Sequence, residues 1–476
     1  MADLPALKRG IRFRDLVLFY VVSGISVRWT ATAAAAGPSI LLIWVAALVC
    51  FFLPLAASVM ELSSRLPDEG GLYIWTREAF GDASGFLAAW TYWMSNLPYF
   101  SGVLYFGAAS TLFAFGARAQ SLSSSPLYYL GFAVFWLAVI TLLNIRGVNA
   151  GKCLNNVSSL GALLPLAVLL IMAASSYVHF GPVVRYPTAS FIPHWTFNNA
   201  VFWSSVFFAF GGVEAGSAMG GEIQNPRRVI PGAILIGGSV LAVSYIGGTA
   251  GLLVALPPSA VGGPDGFVNG IRTLSAHLGL AWLLVPVALF VGLNAVGGAA
   301  AYLSSTSRLP FVAGIDHYLP SAFGRIHSRY RTPWVAIGVY GLAGILVAVA
   351  GQAGTTVRGA YDVLVSMGII SYFLPYLFLF AAMIRLQSQP AGPEVRRVPG
   401  GKPVAIALGS LGLASTAMTI VLSAIPAGDE PDKAMSATKV IGGTAVLVGA
   451  GVLVFLLETR RIRRLHSGRP NRTTNL

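Results

Sequence analysis

Two charged residues sit inside long apolar runs: Arg28 in DLVLFYVVSGISVRWTATAAAAG and Glu214 in NNAVFWSSVFFAFGGVEAGSAMGGE. An ionisable side chain at mid-bilayer costs about 2.5–3.5 kcal/mol on insertion scales, which makes both functional candidates by default. Each follows a cluster of helix-weakening residues. Val22, Ser23, Gly24, Ile25 and Ser26 precede Arg28, and Phe210, Gly211 and Gly212 precede Glu214. Glycine in a helix interior costs about 1 kcal/mol relative to alanine, and serine or β-branched neighbours weaken the helix further. A break at membrane depth frees backbone N–H and C=O groups that protein, water or a ligand must satisfy. N–H groups opening a half-helix attract a carboxylate, and C=O groups closing one attract an ammonium. A zwitterion fits both. Plainer roles compete: the glycines would serve close helix packing, Arg28 would snorkel to the outer interface, and Glu214 would brace a bent helix through hydrogen bonds.

The elements that hold these residues follow from composition. Of 476 residues, 55% are hydrophobic and 10% charged, against about 25% charged in soluble domains. The apolar residues form blocks of roughly 20, the length that crosses about 30 Å of hydrocarbon as a helix. Twelve spans are predicted, near 15–36, 38–60, 84–115, 126–144, 155–179, 198–221, 229–256, 279–305, 333–351, 361–384, 402–425 and 438–457. The third is long enough to require tilt. Connections on one side hold 24 Lys and Arg and those on the other hold 6, which puts both termini in the cytoplasm. An even number of spans agrees. The charge of +14 is therefore read as topology rather than nucleic-acid binding. The first span then runs outwards and the sixth inwards, each with a break near its middle, as an inverted repeat of five plus five helices requires. The predicted organisation is a cytoplasmic N-terminus (1–14), a first five-helix repeat (15–180), an inverted second repeat (198–385), helices 11 and 12 (402–457) and a basic, disordered cytoplasmic tail (458–476). The sequons at Asn156 and Asn471 fall on the cytoplasmic side and are read as chance matches.

Several chemistries find no support. Cys50 and Cys153 imply neither a disulfide framework nor a metal site, and the six histidines lie at span ends or in connections. There is no phosphate-binding loop for ATP-driven pumping and no continuous polar lining for a channel. The first apolar block lacks a cleavage motif and reads as a retained span. No enzyme activity, cofactor or metal is expected.

Three segments carry a family resemblance. The first holds Glu61, Arg65, Pro67, Gly70, Gly71, Tyr73 and Trp75, running to Phe80 and Gly81. The second runs from Phe207 to Glu214 and on through Gly221, Glu222, Asn225, Pro226, Arg227, Arg228 and Pro231. The third holds Ser304, Ser305, Arg308, Asp316, Pro320, Arg331 and Pro333. In this order and spacing the chain resembles the amino acid–polyamine–organocation transporters over spans one to ten. The resemblance implies an all-α polytopic membrane protein of about 12 transmembrane helices, with a leucine-transporter-type fold and broken helices 1 and 6. It implies that Ser23, Gly24 and Ile25 hold a substrate carboxylate, that Phe208 gates the site, and that the backbone at Phe208 and Gly211 holds the amine. Ser26, Ala209 and Gly212 complete the predicted substrate site, with Glu214 and Arg28 in gating or coupling. Two departures stand out. Val21 and Val22 replace glycines usual before the serine, and no lysine occurs near Leu160–Leu163, where many members have one in the fifth span. Proton symport by that lysine is thus in doubt, leaving exchange, sodium coupling, or protons carried by Glu214.

The expected function is secondary active transport of amino acids across the cell membrane (plasma or inner) by alternating access, as symport or exchange. The expected partners are a small-molecule substrate, membrane lipids and a coupling H+ or Na+, with no nucleic acid. Transport of a polyamine or organic cation is the alternative, disfavoured by Arg28, and a non-transporting receptor on the same fold is a third.

Overall fold

The computed structural model describes residues 7–181, 185–261, 265–316, 318–353, 357–424 and 433–467. The expectations for residues 1–6 and 468–476, including the Asn471 sequon, lie outside the described residues. Helices dominate throughout, because hydrocarbon offers no partner for backbone N–H and C=O groups and a helix satisfies them within one segment. Among the described residues the extended pairing is one isolated bridge, Ile11 with Ile223.

Among the described residues, eight single helices are long and apolar enough to cross a membrane. A ninth span is the pair Phe13–Gly24 and Arg28–Ala34, bent by 41°. The sixth span is Phe197–Ala209 followed by a tighter 3-10 helix, Ala215–Glu222. The tenth and twelfth are Val357–Leu386 and Lys433–Ser467. The twelve-span architecture stands. The third span, Asp82–Leu112, has 31 residues and is about 46 Å long at 1.5 Å per residue. The twelfth helix continues to Ser467, through the first part of the tail expected to be disordered. Three short helices were not anticipated: Leu72–Phe80, Gly266–His277 and Arg308–Ile315.

Proline shapes the second span, Ile40–Arg65. Its ring displaces the carbonyl four residues earlier from the helical ladder. Here a π-helical turn at Leu48–Phe52 precedes Pro54, and the Cys50 carbonyl instead accepts a hydrogen bond from Ser415 Oγ at 2.9 Å. The first span packs on the fifth, seventh and eighth, while the third joins the eighth to the tenth. The first broken span therefore sits inside the bundle, and the sixth-span break is buried from Val206 to Gly220, where irregular backbone is tolerated.

Candidate functional site

The first-span helix closes where the Ile25 N–H donates to the Val21 carbonyl at 3.0 Å, and a new turn opens where the Trp29 N–H donates to Ser26 O at 3.0 Å. The polar groups between are clamped by Tyr245 of the seventh span, Pro226–Ala255. Its hydroxyl donates to the Gly24 carbonyl at 2.6 Å and accepts from the Ser26 N–H at 3.4 Å. Stacking on Trp44, with ring centroids 4.7 Å apart, holds Tyr245 in place.

In the sixth span the helix ends at Ala209, and Gly212 adopts φ +117°, a conformation that favours glycine. A Cβ at Gly212 would lie 2.6 Å from the Tyr302 hydroxyl and 3.6 Å from Gly24 Cα, so the two breaks touch. A Cβ at Gly211 would meet Tyr372 at 2.7 Å. Glu214, 2% exposed, braces the break. One oxygen accepts the Gly212 N–H at 2.9 Å, and the other accepts the hydroxyls of Tyr92 at 2.5 Å and Tyr372 at 3.0 Å. Because Tyr372 donates there, it accepts from Tyr302, 3.0 Å away.

Between the breaks lies a small cavity of about 20 Å³, room for roughly one water. Ser23, Gly24 and Ser26 line one side, Phe208, Ala209 and Gly211 the other, and Trp29, Tyr99, Tyr302 and Tyr372 complete the wall. The hydroxyls of Ser23 and Ser26 have no hydrogen-bond partner among the described residues. Ile25 is buried but does not line the cavity, and Gly212 and Glu214 stand behind its wall. Phe208 meets Trp29 edge-on at 5.3 Å and Tyr372 at 4.9 Å. Arg28 is 4% exposed and lies over Trp29, not at the outer interface; it makes no ion pair with Glu214. The tyrosines were missed by sequence reasoning. Their one legible signal is that a mid-span Tyr hydroxyl needs a partner when buried.

A family model described as amino acid permease matches residues 13–447. The chain belongs to the amino acid permease family. It is a multi-pass membrane protein of a transporter family. The chain is 24% identical over 402 residues to a probable agmatine/putrescine antiporter, AguD, of Lactococcus lactis, with 83% of this chain and 84% of the relative covered. It is 25% identical over 416 residues to the branched-chain amino acid permease BcaP of Bacillus subtilis, again with 83% and 84% covered. In fold it matches the crystal structure of MhsT in complex with L-phenylalanine, with a TM-score of 0.60 and 14% identity over 88% of this chain and 100% of that one. The fold is leucine-transporter-type.

The three segments that carried the resemblance meet at one place in the structure, below the sixth-span break. Arg308 is 1% exposed and Glu222 0%, and the guanidinium donates to both Glu222 oxygens at 2.9 and 3.0 Å. It also donates to the Ser304 carbonyl and to Ser307 Oγ. Glu69, from the first segment, approaches Arg308 at 3.9 Å and accepts the Gly221 N–H at 2.7 Å. The Gly70 N–H donates to the Ala218 carbonyl at 3.0 Å, and Ile11 pairs with Glu222 and Gln224 through the backbone. A loop, a half-helix and the junction between the eighth span, Leu284–Thr306, and the short helix Arg308–Ile315 thus form one plug.

Burial raises the pKa of Glu69 well above its ordinary 4.5, repulsion from Glu222 adds to this, and Arg308 opposes it. Closure of the plug therefore binds a proton more tightly than an open plug with a solvated Glu69. By linkage, Glu69's contribution to closure is complete below the ordinary glutamate value and is lost as pH rises through the raised one. Hydrogen exchange at residues 69–71 and Gly221, corrected for intrinsic rate, should rise with pH, and Glu69→Gln should flatten that slope. An unchanged slope in the variant would refute the linkage.

Proposed function

We propose that the protein carries amino acids across the membrane by alternating access, as symport or exchange, with the substrate held between the first- and sixth-span breaks. The observation that carries this reading is the meeting of both breaks at one small cavity lined by buried residues, among them Ser23 and Ser26 with unpaired hydroxyls among the described residues. In this reading Ser23, Gly24 and the backbone to Ser26 take the carboxylate, the backbone from Phe208 through Ala209 and Gly211 takes the amine, and Phe208 closes the outer side. The halves 15–180 and 198–385 move against one another in the cell membrane, with both termini cytoplasmic. The name of BcaP supports the substrate class; that of AguD supports a polyamine instead. Against the polyamine stands the cavity wall, which holds no carboxylate among the described residues and keeps Glu214 behind tyrosine hydroxyls.

The test is thermal unfolding of the purified protein with a panel of amino acids and diamines, followed by counterflow in proteoliposomes. A ligand that binds the folded form raises the melting point. Stabilisation and counterflow by the same amino acid are expected. Stabilisation by diamines alone would establish the polyamine reading, and binding without flux a receptor. Phe208→Ala should yield folded protein whose uptake is about tenfold lower, the scale of a lost aromatic contact in the closed state. Uptake equal to wild type would remove Phe208 from the gate.

A further inference from the structure

Arg28 is a buried cation with no ion-pair partner among the described residues. Its Nε and Nη1 atoms donate no hydrogen bond, and no carboxylate among the described residues pairs with it. Among the described residues the other buried arginine, Arg308, has both oxygens of Glu222, and the part-buried Arg65 has Glu61. The Arg28 guanidinium lies 4.6 Å from the Trp29 ring centroid and 5.8 Å from that of Tyr99, and both rings line the cavity between the breaks. Ring faces offset part of a buried charge but leave the N–H donors unsatisfied. A guanidinium does not deprotonate in a protein. Glu214 offers no relief, since its oxygens already accept three hydrogen bonds. The site thus holds an uncompensated positive charge one aromatic ring from the cavity, with two free serine hydroxyls inside it.

We propose that Arg28 binds a side-chain carboxylate of the transported solute, so that the protein selects acidic amino acids over neutral ones and rejects diamines. This rests on the amino-acid reading above. Arg28 opens the outer half-helix, beyond the Ser23–Gly24 side of the cavity assigned there to the main-chain carboxylate. Arg28 stands across the turn at residues 25–27 from Ser23 and Gly24, and its guanidinium packs on Trp29 and Tyr99, two rings of the cavity wall, so a second anionic group on a solute anchored at Ser23 and Gly24 is drawn towards Arg28 past these rings. The planar fork suits a carboxylate bidentately. A cationic diamine would meet an unscreened like charge in a low-dielectric site.

The test uses the full chain in proteoliposomes and detergent, with L-glutamate, L-leucine and putrescine as probes, in wild type, Arg28→Gln and Arg28→Lys. Wild type should bind glutamate more tightly than leucine. Arg28→Gln should weaken glutamate roughly 10- to 100-fold, the worth of a hydrogen bond to a charged group, with leucine nearly unchanged. Arg28→Lys should fall between, retaining charge but losing the fork. The ligand-free melting point of Arg28→Gln should not fall, because an unpaired buried charge is removed; a lower value with equal loss for both amino acids would make Arg28 structural and overturn the assignment. So would an unchanged glutamate affinity, or putrescine bound as tightly as glutamate. A small inorganic anion would satisfy the same guanidinium. Glutamate uptake should persist when chloride is replaced by gluconate, and its loss would put chloride at Arg28 instead. Leucine binding without glutamate binding overturns this inference alone, whereas binding of no amino acid overturns the parent reading and this one with it.

Discussion

Arg308→Met is expected to be the most damaging single substitution on the side of the molecule read as cytoplasmic. Removing one partner of a buried ion pair costs about 3–5 kcal/mol, because the other charge stays behind unpaired. Here Glu222 is fully buried and would lose both of its hydrogen bonds from Arg308. Glu69 would lose the nearby cation that opposes its burial. The thermal midpoint should drop, and the lower half of the sixth span should separate from the end of the eighth. A cysteine placed at Ala218, buried at 3%, in a background lacking Cys50 and Cys153 would then react with an impermeant thiol reagent from that side. The double variant Arg308→Met, Glu222→Leu should recover much of the stability, since replacing a buried pair by apolar residues is often neutral. A single variant as stable and as protected as wild type would show that the pair does not hold the plug shut.

That plug marks where sequence reasoning ended. Its segments were singled out by resemblance, but nothing in their spacing brings Glu69 to Arg308 or Gly221. Contacts between distant segments depend on which faces of neighbouring helices meet, and apolar periodicity is weak where spans are buried on most sides. The breaks were more legible because their cause is local. Gly212 is needed for its backbone conformation, and a charged residue follows each weak point in an otherwise apolar run. The first break nevertheless lies further along than its small residues indicate. Val22, Ser23 and Gly24 stay helical, and the turn falls at residues 25–27, where Tyr245 offers a hydroxyl to the freed groups. The tyrosines came from spans three, seven, eight and ten, which no local signal links to the breaks. The helix Gly266–His277 buries Phe267, Val268, Ile271 and Leu274, a helical spacing present in the sequence, in a segment too short to span and left between the seventh and eighth predicted spans.

Glu214 separates two roles that the sequence left open, and its substitutions should do so by experiment. All three of its neighbours donate: the Gly212 N–H and the hydroxyls of Tyr92 and Tyr372. That pattern suits a carboxylate that only accepts. Glu214→Ala would strand three buried donors, each at about 1–3 kcal/mol, so loss of most folded protein is the expected result. Glu214→Gln differs in one respect. Its carbonyl oxygen keeps the Gly212 N–H, which cannot turn away, while its amide faces the two hydroxyls, which rotate to accept. The glutamine variant should therefore fold, exchange substrate and keep the wild-type pH profile, as a brace requires. Transport rates across a pH series in proteoliposomes, with and without an imposed proton gradient, decide the matter. A flattened profile with exchange intact would make Glu214 the site of a transported proton. Equal collapse of the glutamine and alanine variants would mean that the break needs the negative charge itself and not merely the acceptors it provides.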